Sequence, residues 1–308
     1  MTVVAVATRS GAIECEHHGH VAVVGPTGDL QYSAGDPQLI TYPRSANKLF
    51  QAAAMRSCGL RLPTHLLAFA ASSHSGEERH QQATREILAM AGRSADDLQN
   101  TPDLPYGIDV AERYLRAGGE RTRLAQNCSG KHAAMLLTCV INSWPLDRYL
   151  EPNHPLQSAI ATMIATETGE PIDHVGVDGC GAPAHACSLS GLARAYGRSR
   201  VGAPTADVAD AMLAFPEMVG GETRDVTQLM RALPGVLVKD GADGIMAAAL
   251  PDGTGIAVKI ADGAPRPRVA VLLRVLEMLG LDVGSARDHV PLPVLGWGRP
   301  VGEIRSVL

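Results

Sequence analysis

The sequence predicts an α+β fold, an antiparallel sheet flanked by helices with a helical lobe. Two observations carry this. Strand-like segments lie at both ends of the chain while helical patterns fill the middle, an order unlike the βαβ alternation of a parallel sheet. Neighbouring strand-like runs are also joined directly by turn sequences, as at Gly25-Pro26-Thr27-Gly28-Asp29 and Pro251-Asp252-Gly253-Thr254-Gly255, which read as hairpins.

The elements follow in order. The first 35 residues read as a strand meander, with Val21–Val24 and Leu30–Tyr32 flanking the first turn. A helix is expected from about Ser45 to Ser57, with a serine as candidate cap and Gly59 as its stop. Leu66–Ala71 is a short apolar run, and the polar cluster Ser72-Ser73-His74-Ser75-Gly76 follows it. Glu77–Met90 is helix-prone, Asn100–Gly107 is a proline-marked loop, and Lys131–Asn142 is a strongly apolar helix. Ser158–Thr168 is another helix, leading into the glycine-broken loop Val177–Pro183. Helices near Ser188–Ala195, Ala206–Ala214 and Thr223–Ala232 precede strands at Gly235–Val238, Ile245–Ala249 and Ile256–Ile260. A final helix, Val269–Leu279, is followed by a proline-rich tail. With no repeat or linker-like boundary, residues 1–308 read as one two-lobed domain, its N-terminal strand pair joining the C-terminal meander.

Composition narrows the function classes. The 308 residues are 45% hydrophobic and 19% charged, so a large core is available and global disorder is excluded. Lys and Arg number 27 against 32 Asp and Glu, a formal net charge of -5, which argues against nucleic acid or an anionic membrane as partner. Aromatics are only 4%, so base-stacking platforms are not expected. No uncharged apolar run approaches the ~20 residues of a membrane span, and the N-terminus turns polar too soon for a signal peptide. The expectation is a soluble cytoplasmic protein whose six cysteines are core residues, metal ligands or nucleophiles rather than bridges.

Three short motifs carry chemistry. Ser45-Ala46-Asn47-Lys48 opens a helix and puts a hydroxyl and an amine on one face. A lysine can activate a serine where burial or a second cation disfavours its charged form. Ser73-His74-Ser75 lies between helices, and Lys239-Asp240-Gly241 ends a strand. Alone, each reads as a cap, a turn or an exposed lysine. In this order they resemble the Ser-x-x-Lys, Ser-x-Asn and Lys-Thr-Gly layout of serine β-lactamases and penicillin-binding proteins. A fourth constellation, Asn127-Cys128-Ser129-Gly130-Lys131-His132 with the distant Cys180, offers two thiols and nitrogen donors for a zinc ion. On chemical grounds His132 is the obvious nitrogen ligand; otherwise both cysteines are small buried hydrophobes.

Seven segments together resemble the bacterial L-asparaginase II family, the branch related to Rhizobium etli-type asparaginases. They are His17-His18-Gly19, Pro43-Arg44-Ser45-Ala46-Asn47-Lys48, Ser73-His74-Ser75-Gly76-Glu77, Asn127–His132, Asp178-Gly179-Cys180, Pro216-Glu217-Met218-Val219 and Lys239–Gly244. The resemblance implies a serine β-lactamase/glutaminase-like fold and hydrolysis of L-asparagine to L-aspartate and ammonia. It implies Ser45–Lys48 and Ser73–Lys239 as two Ser-Lys pairs, Cys128, Lys131 and Cys180 as zinc ligands, and a homodimer. The metal is expected to tune substrate affinity rather than carry the hydrolysis. Two departures stand out. Leu49 replaces the family's usual proline after the helix-start lysine, and Asn100–Pro105 lacks the Cys and His of the family's segment there.

The expected mechanism makes Ser45 the nucleophile and Lys48 its base, kept neutral by burial and by the like charge of Lys239. Ser73, hydrogen-bonded to Lys239, relays a proton to the leaving ammonia, and backbone N–H groups at Ser45 and near the Lys239 strand hold the oxyanion. Exchanging the pairs makes Ser73 the nucleophile. Arg44 is the candidate partner of the substrate carboxylate, Asp178 accepts its ammonium or holds a zinc-bound water, and His132 completes the substrate-binding set. A glutaminase or other small-amide hydrolase, and a zinc-bound amino-acid sensor without turnover, are the alternatives.

Overall fold

The computed structural model describes residues 1–202 and 204–308. In chain order its strands are β1 (Thr2–Arg9), β2 (Ala12–Val24), β3 (Leu30–Ala34), β4 (Ile40–Thr41), β5 (Val175–Val177), β6 (Pro183–His185), β7 (Cys187–Ser188), β8 (Leu237–Asp240), β9 (Ile245–Ala249), β10 (Gly255–Ile260), β11 (Pro293–Gly296) and β12 (Arg299–Ser306). Its helices are α1 (Lys48–Ser57), α2 (Thr64–Ala70), α3 (Glu78–Met90), α4 (Ile108–Arg116), α5 (Ser129–Ile141), α6 (Pro155–Thr168), α7 (Leu189–Arg198), α8 (Ala206–Ala214), α9 (Pro216–Val219), α10 (Asp225–Ala232), α11 (Arg268–Met278) and α12 (Gly284–His289).

The expected α+β architecture is present. An eight-stranded sheet runs in the order β11-β12-β1-β2-β10-β9-β8, with β3 beside β2. Every pairing in it is antiparallel. The long β2 holds it together. Its first half pairs with β1, with Thr2 opposite Gly19, and its second half pairs with both β3 and β10. The N-terminal strands thus join the C-terminal meander directly, as the sequence order suggested. Strands β8 and β9 are buried along their whole length; this suits the unbroken apolar run of β9, whereas β8 carries Lys239 and Asp240 into the interior. Helices α7 and α11 pack on β9 and β10 and α10 packs on β8, while α1, α2, α3, α5, α6 and α8 contact one another as the helical lobe.

The tail departs from expectation. Residues 293–306 form the β11–β12 hairpin, and β12 extends the sheet by pairing with β1. The prolines are compatible because Pro293 begins an edge strand and Pro300 lies at a register shift, two places where a missing N–H breaks no ladder bond. Helix α4 also lies outside the expected elements, and none of its residues is buried. The large buried side chains are few, notably Tyr149, Tyr196, Phe50 and Phe69, and the rest of the core is mostly Ala, Val, Leu, Ile and Met. Among the described residues no helix is long and apolar enough to cross a membrane.

Scarce aromatics allow backbone to approach backbone. A Cβ on Gly255 of β10 would stand 1.8 Å from the Ala193 carbonyl oxygen and 2.7 Å from the Gly197 nitrogen of α7. Helix and sheet touch there through main chain, which cannot yield as a side-chain tip can. Gly255→Ala is expected to destabilise the protein by at least about 2 kcal/mol, read as a lower urea midpoint at unchanged slope.

Candidate active site

Ser45 lies in a 3₁₀ turn over Arg44–Asn47, and Lys48 is the first residue of α1. The expected serine cap is not made. Neither the turn nor α1 has a side-chain cap hydrogen bond, so the half-buried Ser45 hydroxyl is not committed to a cap. Arg44 adopts φ +52°, a left-handed conformation costly for a long side chain. The turn is braced by the Tyr196 hydroxyl donating to the Ala46 carbonyl at 2.8 Å and by Asn47 Nδ2 donating to the His185 carbonyl at 3.1 Å. Lys48 is 1% exposed, and its Nζ has no hydrogen-bond partner. Ser45 and Lys48 share the start of one helix but are not hydrogen-bonded here; catalytic bonds are often long before substrate binds.

Ser73 lies in the connection between α2 and α3. Its backbone N–H bonds the Val219 carbonyl at 3.0 Å, and Ser75 bonds the Gly220 carbonyl through both N–H and hydroxyl. The 216–221 segment, noted only as part of the resemblance, is therefore what holds this loop. Neither serine caps α3, whose N-cap is Glu77 in a capping box with His80. Ser73 Oγ accepts from Asn127 Nδ2 at 3.2 Å. His74 is fully buried; burial first, then His80 and Lys48, push its pKa well down. The neutral ring accepts from the Gly76 N–H and pairs through Nε2 with the Ser129 hydroxyl at 3.0 Å.

Lys239 is 0% exposed at the end of β8, so the exposed-lysine alternative does not hold. The expected Ser73–Lys239 hydrogen bond is replaced by two others. Lys239 Nζ donates to Asp240 Oδ1 at 2.6 Å and to the Asp240 carbonyl at 2.8 Å. Burial lowers the Lys239 pKa to about 8, with Asp240 opposing the shift and Lys48 adding to it. Burial alone would raise the Asp240 carboxyl, but Lys239, Arg224 and Arg268 hold it far below the usual carboxylate range. Gly241 explains how β8 reaches Ser45: a Cβ there would stand 2.3 Å from the Pro43 carbonyl oxygen. The strand end can close on the 43–45 turn only without a side chain.

Cys128, Lys131 and Cys180 converge. Both cysteines are buried, unbridged and clustered with Ala182, and Lys131 Nζ donates to Cys180 Sγ at 3.2 Å. The Cys128 hydrogen bond lowers the Cys180 pKa to about 5, against burial and with help from Lys131, while Cys128 itself is raised to about 12. A buried Cys180 sulfur that accepts from a lysine is engaged in polar contacts that a small hydrophobe does not make. Among the described residues no three His, Cys, Asp or Glu side chains gather as a metal site, so a zinc ion would depend on Lys131 as third protein donor. With two thiols from two segments turned onto one another, the donor set fits such an ion only once Lys131 has given up its proton.

The residues expected to bind substrate are otherwise engaged. Arg44 Nε donates to Asp178 Oδ1 at 2.8 Å and Nη1 to the Asp243 carboxylate. The Asp178 pKa is lowered because Lys131 and Arg44 outweigh its burial. His132 is fully buried, its Nδ1 paired with the Tyr149 hydroxyl at 2.8 Å. The divergent 100–105 segment touches the 178–182 loop, where Thr101 donates to the Gly179 carbonyl at 3.1 Å, and just beyond it the Gly107 N–H bonds the Ser75 carbonyl at 3.0 Å. Lys259 donates to the Asp243 carbonyl.

Sequence reasoning missed Arg224, Asp240, Asn127 and Asp243 as members of this cluster. Asp240 and Asn127 sit inside quoted motifs, so adjacency was a usable signal. Arg224 carries no motif spacing at all.

The site thus gathers two serines, two buried lysines and a hydrogen-bonded lysine-cysteine pair beside a mixed helix-and-sheet framework. A description of the L-asparaginase II family matches residues 5–306, and the chain belongs to that family. It is an amidohydrolase of the asparaginase type. No curated protein matches the sequence. Among solved structures, a beta-lactamase from Mycobacterium bovis is similar at 16% identity and TM-score 0.49, covering 85% of this chain and 95% of its own. Mglu in its native form is similar at 16% identity and TM-score 0.39; the match covers 86% of this chain but only 62% of Mglu.

Asp240→Asn would leave the buried Lys239 and Arg224 cations without their shared anion. A loss of about 3–5 kcal/mol of stability is expected, checked by urea unfolding at pH 7.

Proposed function

We propose that the substrate is L-asparagine, hydrolysed at its side-chain amide through a Ser45 acyl-enzyme. The observation that carries the reading is the unequal setting of the two buried lysines: Lys48 Nζ has no partner, whereas Lys239 Nζ donates to two oxygens of Asp240. Lys48 Nζ, without an acceptor of its own, breaks no hydrogen bond in turning to the Ser45 hydroxyl; the Lys239 ammonium, held by a carboxylate, is a proton donor. Two like groups in unlike surroundings divide the base and acid roles between them.

Ser45 Oγ attacks the amide carbon while its proton passes to Lys48. The tetrahedral oxyanion is held by backbone N–H groups at Ser45 and near the end of β8. As the C–N bond breaks, Ser73 passes a proton to the departing nitrogen and is reprotonated from Lys239. Water then attacks the β-aspartyl ester and gives its proton through Ser73 to the now neutral Lys239, while Lys48 returns its proton to Ser45 Oγ as the ester C–O bond breaks, so that asparagine and water become aspartate and ammonia with both lysines restored. The zwitterionic substrate competes for the internal ion pairs: its carboxylate replaces Asp243 on Arg44, and its ammonium turns to Asp178. Zinc, held by Cys128, Lys131 and Cys180, would supply positive charge beside this pocket and tie the start of α5 to the 178–182 loop.

Ser45→Ala is expected to retain less than about 1% of wild-type ammonia release from L-asparagine; more than about a tenth remaining would remove Ser45 as nucleophile. Parallel assays with L-glutamine and the D-isomers define the substrate. For the metal, near-stoichiometric zinc in the wild type should be lost from a Cys128→Ala/Cys180→Ala double variant, measured by elemental analysis. Unchanged zinc content there would refute the site.

A further inference from the structure

Arg224 reaches the site from just before α10, and its side chain is 13% exposed. Its Nη1 donates to the Ser73 carbonyl at 3.2 Å, and its Nη2 donates to the Asp240 carboxylate. Its Nε lies 3.9 Å from Asp225 Oδ1, and the guanidinium stands 4.8 Å above the Tyr106 ring. Asp240 in turn receives the Lys239 ammonium. One planar group therefore spans the backbone of the Ser73 loop and the carboxylate that holds Lys239. Arginine suits this place because its fork fixes two acceptors at once, which a lysine cannot do.

We infer that Arg224 is a positioning residue for amide hydrolysis, clamping Ser73 and Lys239 at a fixed separation through the Ser73 carbonyl and Asp240. The inference rests on the proposed roles of Ser73 and Lys239 in proton delivery. It gives the 106 and 224 positions a common purpose: Tyr106, just beyond the divergent 100–105 segment, supports the guanidinium from its open side.

The electrostatics give the clamp a signature that scaffolding alone lacks. The charged groups acting on Lys239 are Asp240, Lys48 and Arg224, and those acting on Asp240 are Lys239, Arg224 and Arg268. Arg224 disfavours the Lys239 cation directly and also competes for Asp240. Without Arg224, Asp240 serves Lys239 more fully and the charged form is favoured, so Lys239 loses its proton at higher pH. If protonated Lys239 is the active form, wild-type kcat falls as pH rises through about 8, and removal of Arg224 moves that fall upward.

The test is the pH profile of ammonia release by Arg224→Met and Arg224→Ala. Arg224→Met is expected to lower kcat at least about tenfold with KM changed less than about threefold, and to raise the alkaline limb by about half a pH unit or more. Millimolar guanidinium should restore part of the kcat of Arg224→Ala. A kcat within about twofold of wild type, or a loss with an unmoved limb and no rescue, overturns the inference. Should the Arg224 variants fail to fold, Tyr106→Ala replaces them, since that side chain is 58% exposed. It should lower kcat and move the limb the same way, and a wild-type profile would overturn the inference. Failure of the underlying reading looks different: wild-type protein releases no ammonia from L-asparagine, or Ser45→Ala stays active.

Discussion

Four basic side chains, the buried Lys48, Lys131 and Lys239 and the largely buried Arg224, gather around one site, and the rest of the centre is arranged to make that burial tolerable. Charge removed from water must be matched by counter-charge and hydrogen bonds or it destabilises the fold. Asp240 answers Lys239 and Arg224, and the Cys180 sulfur and Asp178 answer Lys131. Lys48 alone has no partner at its Nζ. The unpaired position is also the one beside the candidate nucleophile, so the site's least satisfied group coincides with its proposed chemistry.

This charge arrangement depends on close backbone packing. The 3₁₀ turn bearing Ser45, the Ser73 loop and the end of β8 come from three parts of the chain, and no one of them encloses a pocket. Gly241 lets β8 abut Pro43, the 216–221 segment grips Ser73 and Ser75, and Gly255 lets α7 rest on the sheet. The low aromatic content fits this scheme, because small side chains allow main chain to approach main chain around a small polar pocket.

Much of the site was legible because spacing encodes geometry within an element. Ser45 and Lys48, three apart across the 3₁₀ turn into α1, and Cys128 and Lys131, likewise spaced across the N-cap of α5, are kept near one another by that spacing. The strand-end position of Lys239 was legible from the apolar run before it. Its partner was not: Asp240 was in plain view, but whether its carboxylate turns to its neighbour depends on how deeply both are buried. The same holds for Arg44 and Asp178. They were read as free to receive a zwitterion, yet they are close enough to satisfy each other. The β11–β12 hairpin escaped because prolines argue against strands unless edge and bulge positions are known.

The sequence by itself determined the class of fold, the joining of the N-terminal strands to the C-terminal meander and the chemical identity of the serines, lysines and thiols, because those follow from local periodicity and motif spacing. Only the tertiary structure decided which charges neutralise one another. Asp240 rather than Ser73 receives Lys239, Arg224 joins the site without a motif, and Lys48 is left without a partner. Such outcomes depend on burial and on contacts between distant segments, and no spacing along the chain carries them.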